Sequence, residues 1–260
     1  MARTIAIAHP GGGVGKTTTA LNLGYELAAG GLRVTVVDLD PGGELSFRLG
    51  QDPVAPTLAD VLMNGHGTPA TVRCAWGEPP TGFAFVSAGQ NTMLGMELML
   101  NSVPHAREYR LARALAGLQD PADVILIDCP PNITTLALNA LYAADALLVP
   151  VQAHPKAYSM LPRFWEIVAE VRTYRPRPLD VLGLVLTMYD GREAIQRQVA
   201  EALAGDPLLF ETVIPRSASA LADTLYHAPV AVYQPRAALA AAYGALAAEV
   251  RARLEGLPDA

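Results

Sequence analysis

Short apolar runs recur along the chain, spaced so that one helix fits between most neighbours. Runs at 4–8 (TIAIA), 33–38 (RVTVVD), 83–87 (FAFVS), 123–128 (DVILID), 146–151 (ALLVPV) and 181–187 (VLGLVLT) read as strands, with a shorter one at 211–214 (ETVI). Most are apolar on both faces, as in parallel strands covered on each side. Between them, 16–29, 106–118, 133–144, 157–174, 192–204 and 236–254 repeat apolar residues at helical spacing. The first of these turns Leu21, Leu23, Leu27 and Ala28 toward a core. This alternation predicts a doubly wound α/β fold, a mostly parallel sheet with helices on both faces. Glycine and proline clusters at 41–43, 53–56, 64–69 and 77–82 mark loops, and 50–82 shows the weakest pattern. No repeat or long linker divides the chain, so residues 1–260 read as a single domain.

The segment PGGGVGKTTTA at 10–20 joins the first strand to the first helix. Its spacing is that of a phosphate-binding loop, except that Pro10 stands where G-x-x-x-x-G-K-[ST] has its first glycine. A glycine-rich turn here aims backbone N–H groups at one point, and the helix N-terminus adds partial positive charge. Gly12, Gly13 and Gly15, with Val14 between them, allow close approach to phosphate; Lys16 is placed for the terminal phosphates and the Thr17 hydroxyl for Mg²⁺, with Thr18 following.

Two strand ends carry acids. VVDLDP puts Asp38 and Asp40 at the end of the second strand, and VILIDCPP puts Asp128 at the end of another. Ligands of open parallel sheets sit at these carboxyl ends, where carboxylates hold Mg²⁺ or orient an attacking water. The bound species expected are therefore a nucleotide and Mg²⁺.

Charge and composition narrow the partners. The formal net charge is −6, so DNA contact would require a local basic patch and would be salt-sensitive. Only Lys16 and Lys156 are lysines; the other basic residues are arginines. Arg107, Arg110 and Arg113 share a helical spacing and read as a solvated face or a partner surface. Cys74 and Cys129 have no metal-ligand spacing and read as buried thiols rather than a disulfide or zinc site. His9 reads as a hydrogen-bonding residue near the loop, and His105 and His154 lack a metal or nucleophile pattern. No apolar run reaches membrane-span length, and the N-terminal run fits a strand better than a signal peptide. The helical end, AALAAAYGALAAEVRARLEGLPDA, has only two basic residues, which disfavours membrane docking. A cytoplasmic location follows as an expectation.

GGVGKTTTALNL at 12–23, VVDLDP at 36–41, ILIDCPPNITTLALNAL at 125–141, LLVPVQ at 147–152, LTMYDGR at 186–192, VIPR at 213–216 and VYQPRAALAAAY at 232–243 together resemble the ParA branch of the ParA/MinD deviant-Walker P-loop ATPases. The resemblance covers nearly the whole chain. It implies an ATP-dependent homodimer with the nucleotides between its subunits. It also implies non-specific double-stranded DNA binding on the nucleoid, slow ATP hydrolysis, and a ParB-like centromere-binding partner that stimulates turnover during chromosome or plasmid partitioning. Carried over by motif, Lys16 and Thr17 hold phosphate and Mg²⁺, Asp40 positions the attacking water and Asp128 supports the metal. Met188 and Asp190, with Pro215, Arg216 and Ser217, flank the adenine. Arg192 matches a DNA-contact position.

The departures are specific. Gly11 stands where the family carries a lysine that reaches across the dimer. PGGE at 41–44 replaces the usual DPQGN continuation and brings Glu44 near phosphate, and Ser219 stands at a second DNA-contact arginine. Lys156, just beyond the strand LLVPVQ, is either the replacement cross-dimer cation or a solvated lysine at a helix start. Three alternatives to a partitioning ATPase stand beside that reading: a positioning ATPase for another cargo, a nucleotide-binding regulatory scaffold with little turnover, and a metabolic P-loop ligase.

Overall fold

A computed structural model describes residues 2–89, 93–102 and 106–258. The elements run β1 (Arg3–Ile7), α1 (Lys16–Ala29), β2 (Val34–Asp38), α2 (Glu44–Arg48), α3 (Leu58–Asn64), β3 (Val72–Trp76), β4 (Thr81–Val86), α4 (Met93–Ser102) and α5 (Arg110–Ala116). They continue with β5 (Val124–Asp128), α6 (Thr135–Ala143), β6 (Ala146–Gln152), α7 (Pro155–Ser159), α8 (Leu161–Tyr174), β7 (Asp180–Tyr189), α9 (Ala194–Leu203), β8 (Leu209–Pro215), α10 (Asp223–Tyr226), α11 (Val230–Tyr233) and α12 (Ala238–Glu255). The eight strands form one sheet in the order β3-β4-β2-β5-β1-β6-β7-β8. Every pairing is parallel except β3–β4. The doubly wound, mostly parallel sheet expected from the apolar runs is therefore present.

The strands alternate their side chains between two cores. Ala6, Val37, Ile125, Ile127, Leu147 and Val149 enter the layer under α3, α5, α6 and α8, which contribute Leu62, Leu111, Leu141 and Phe164. Ile5, Val36, Leu126 and Leu148 face the opposite layer, filled by Leu21, Leu23 and Leu27 of α1 and Tyr243 and Leu246 of α12. Both sheet faces are thus covered, and the carboxyl ends of the strands are left for chemistry.

Several elements differ from the sequence reading. β3 was not expected: its residues alternate between buried and exposed at an edge, and Trp76 packs edge-on against Phe83 and Tyr25. α3 lies within the weakly patterned segment, and its start is fixed by a capping box between Thr57 and Asp60. The helix expected at 157–174 is two helices that break at Met160, where Pro162 opens the first turn of α8. The helix expected at 106–118 begins as a 3₁₀ turn at Arg107–Tyr109. Arg110 is not on a solvated face. It donates to the carbonyls of Leu62 and Met63 and so satisfies the C-terminus of α3. Cys74 and Cys129 are buried free thiols. No helix among the described residues is long and apolar enough to cross a membrane.

Candidate nucleotide site

The loop between β1 and α1 is held from three sides. The Asn132 amide donates to the Pro10 carbonyl at 3.0 Å, and the Thr187 hydroxyl donates to the Val14 carbonyl at 2.8 Å. The Gly11 amide donates to Nδ1 of His9 at 2.8 Å. Gly13 and Gly15 have φ of 71° and 94°, the left-handed region where a side chain is strained. Gly15 precedes α1 and no side chain caps the helix, so its first-turn N–H groups remain for an anion.

A cavity of about 140 Å³ lies over this turn, lined by Gly12, Gly13, Gly15, Lys16, Thr17 and Thr18 together with Asp40, Glu44, Arg48, Pro131 and Met188. Lys16 is buried and its Nζ donates to the Gly11 carbonyl at 2.9 Å. Burial lowers the Lys16 pKa, while Asp128 and Asp40 pull it back up. Asp40 accepts the Gly42 amide at 2.8 Å, and its pKa is raised by burial.

Asp38 and Asp128 are direct register partners at the ends of β2 and β5. Asp38 accepts from the amide and hydroxyl of Ser46 and from the Asp40 amide. Burial nevertheless raises its pKa to about 6. Asp128 is fully buried, and burial plus the neighbouring Asp38 raise its pKa well above the usual carboxylate range. The Thr17 hydroxyl lies close enough to favour its charged form, yet neither Asp128 oxygen has a partner with full hydrogen-bond geometry among the described residues.

Such a carboxylate, buried and unsatisfied beside a hydroxyl, fits a divalent cation. Among the described residues, no group of three or more His, Cys, Asp or Glu side chains forms a metal site by itself. That fits Mg²⁺, which takes few protein ligands and completes its shell with water and substrate phosphates. Thr17, Asp40 and Asp128 are the residues that would hold it. Bound there, the ion would neutralise charge developing on the phosphates.

Arg48 was not singled out from the sequence. It reaches Asp223 at 2.6 Å, contacts Glu44 and donates to the Thr18 hydroxyl at 3.2 Å. Arg48 is thus shared between Glu44 and Asp223, and its single positive charge offsets only one of the two carboxylates. The Glu44–Arg48 spacing of one helical turn was the available signal; Asp223, far along the chain, gave none.

A second, apolar cavity of about 180 Å³ shares Gly15, Thr18 and Met188 with the first and continues over Ile214, Pro215, Arg216, Ser217, Leu239 and Tyr243. Met188, Pro215, Arg216 and Ser217 are thus brought together beside the loop, whereas Asp190 is outside this lining. Asp190 instead pairs with Arg192 through two contacts, 2.9 and 2.6 Å, which hold its pKa down at about 2. Arg192 is 90 % exposed. Lys156 lines a third cavity, of about 350 Å³, on the other side of the loop, with Pro10, Gly11, Gly12, Asn132, Gln152 and His154. His105 lies outside the described residues.

Comparison with known proteins agrees with this geometry. A model of the AAA domain family matches residues 2–181. The chain is 39% identical over 259 residues to a chromosome partitioning protein ParA from Caulobacter vibrioides, covering 96% of this chain and 94% of that protein. A cobyrinic acid a,c-diamide synthase from Mycobacterium smegmatis, solved with bound ADP and magnesium, superposes with a TM-score of 0.81 at 33% identity, covering 98% of this chain and 96% of that one. The cell division ATPase MinD of Pyrococcus furiosus superposes with a TM-score of 0.77 at 27% identity, covering 97% and 99%. With its loop, acidic strand ends and sheet order all in place, the chain belongs to the ParA family of P-loop ATPases, whose site takes ATP and Mg²⁺.

Proposed function

We propose that the protein is an ATP-dependent dimerising switch for chromosome or plasmid partitioning. It binds DNA non-specifically and hydrolyses ATP slowly, stimulated by a ParB-like centromere-binding partner. The observation that carries the reading is the convergence of Lys16, Thr17, Asp40 and the unsatisfied Asp128 around one loop. The near full-length likeness to a chromosome partitioning protein supports the cellular role. In this reading the phosphates lie against Gly12 to Thr18, and the base enters the apolar cavity beside Met188 and Pro215. Asp40 orients the attacking water. Arg192, released from Asp190, contributes to DNA contact.

Phosphoryl transfer in a dimer interface needs cations around the γ-phosphate, since most of its catalysis is positioning and charge stabilisation. Gly11 supplies none. Lys156 lines a cavity that also includes Gly11 and Gly12. In our reading it serves as the cross-dimer cation.

The reading is tested by ATP turnover with and without duplex DNA and the cognate centromere-binding protein. Stimulation by the pair that is lost in Asp40→Ala supports it. Absence of stimulation, with ATP still bound, favours a second reading: a nucleotide-binding positioning or regulatory scaffold with little turnover. The specific observation behind that alternative is Gly11, which leaves the loop without its own second cation.

A further inference from the structure

His9 is fully buried at the end of β1, between the phosphate loop and the turn that carries Lys156. Its two ring nitrogens are engaged on opposite sides. Nδ1 lies 2.8 Å from the Gly11 amide nitrogen, and a backbone amide can only donate. Nδ1 is therefore the acceptor, and the proton of the neutral ring sits on Nε2. That N–H is aimed at the carbonyl of Ala157 in α7, at 3.2 Å. Burial lowers the ring's pKa to about 4, which keeps this neutral tautomer at working pH. The ring is packed against Phe164 of α8, with centroids 6.4 Å apart.

The same ring fills the space beside residue 11. A Cβ built on Gly11 would lie 3.0 Å from His9 Nδ1, 3.1 Å from its Cε1 and 3.2 Å from Val14 Cγ1. Those neighbours are buried side chains rather than mobile tips, so they cannot give way cheaply. A side chain at position 11 thus requires His9 and Val14 to shift by a few tenths of an ångström. The hydrogen bond to Ala157 fixes the backbone immediately after Lys156, and both walls of the 350 Å³ cavity, Gly11 and Lys156, are tied to one imidazole.

We infer that His9 is a positioning residue: it crowds any side chain at position 11 and, through Ala157, sets where Lys156 stands relative to the phosphate loop. The first half concerns this chain alone. The second rests on the proposed role of Lys156. The two halves make separable demands. A side chain at position 11 is disfavoured by the ring itself, whether or not Lys156 acts. Loss of the Ala157 contact acts only on steps that use α7.

The test compares His9→Asn, Gly11→Ala and the double variant, each with and without Lys156→Ala. ADP affinity reports on the loop, ATP-induced assembly on the loop plus α7, and thermal midpoints on folding. Asn keeps an acceptor near the Nδ1 position but is too short for Ala157 and removes Cε1. Gly11→Ala is expected to weaken ADP binding about tenfold in the wild-type background and about threefold or less beside His9→Asn. His9→Asn alone should leave ADP affinity within about twofold, yet reduce ATP-induced assembly as much as Lys156→Ala does, with no further loss on combining them. A purely structural His9 would lower ADP binding and assembly together. Equal costs of Gly11→Ala in both backgrounds overturn the inference, as do additive losses for His9→Asn and Lys156→Ala. Should Lys156→Ala leave assembly unchanged, the cross-dimer role of Lys156 falls. The ADP cycle then decides His9 by itself, non-additivity supporting the inference and additivity overturning it.

Discussion

Asp38 and Asp128 face each other in register at the carboxyl ends of β2 and β5, both fully buried. Asp38 spends its oxygens on Ser46 and Asp40, while those of Asp128 meet no partner with hydrogen-bond geometry among the described residues. An unpaired buried carboxylate beside another acid destabilises the nucleotide-free fold, and a bound cation would relieve that cost. Asp128→Asn should therefore raise the thermal midpoint without nucleotide by about 2–6 °C, while removing most of the gain in nucleotide affinity that Mg²⁺ confers. Calorimetry with and without Mg²⁺ and ADP checks both. A variant that loses stability and keeps its Mg²⁺ dependence contradicts this assignment.

Arg48 links the nucleotide cavity to the far end of the chain through Asp223, which is 1 % exposed. Removing the guanidinium strands that carboxylate, a loss of about 3 kcal/mol by analogy with other broken buried pairs. Arg48→Met should lower the thermal midpoint by about 10 °C, and Arg48→Met combined with Asp223→Leu should recover much of it. Equal midpoints for the wild type and Arg48→Met would show that the pair contributes nothing.

Stability against pH separates two opposing groups. His9 has its pKa lowered to about 4 from the ordinary value of about 6.5. The unfolded chain then binds the proton that the folded chain refuses, so this contribution is full above pH 6.5 and is lost as pH falls toward 4. It amounts to about 3 kcal/mol. Asp38, with its pKa raised to about 6, works the other way: the folded chain keeps its proton longer, so stability is lost as pH rises from 4 to 6. Asp128 and Asp40, whose pKa values are also raised, add to that loss, and His9 offsets part of it. His9→Asn should make the decline with rising pH steeper than in the wild type, read from urea midpoints between pH 4 and 7. Parallel profiles for the two proteins would exclude the buried neutral imidazole.

Arg192 is exposed but clasped by Asp190. If its guanidinium meets phosphate in the DNA complex, Arg192→Ala should weaken DNA binding uniformly across sequences and lower the salt slope by about 1. Asp190→Asn should strengthen binding by freeing the same group. Fluorescence anisotropy over a salt series tests this, and an unchanged slope in Arg192→Ala removes the residue from the interface.

The readable parts of this chain were those whose physics is local. Apolar runs such as VILID and LLVPV are buried on both faces and so announce central parallel strands, and the G-K-T-T turn lies where a strand hands over to a helix. β3 was hidden because VRCAW is an edge strand with one wet face and an arginine in it. The capping box of Thr57 and Asp60 was present in the letters, though within a segment broken by prolines and glycines. The Arg48–Asp223 pair spans 175 residues, and nothing in local pattern announces such a contact. His9 shows the same limit: its proximity to the loop was legible, but its hold on Ala157, 148 residues away, is a property of the β1–β6 pairing.

The central claim is that ATP, and not ADP, brings two copies of this chain together. Light scattering of the 27.5 kDa protein eluting from a sizing column, run in Mg²⁺ with ATP or ADP, measures it directly. The account predicts a mass near twice the monomer's in ATP, most clearly in Asp40→Ala, in which the proposed water-orienting carboxylate is removed, and the monomer mass in ADP. The same mass with both nucleotides, despite demonstrated binding of each, would contradict it.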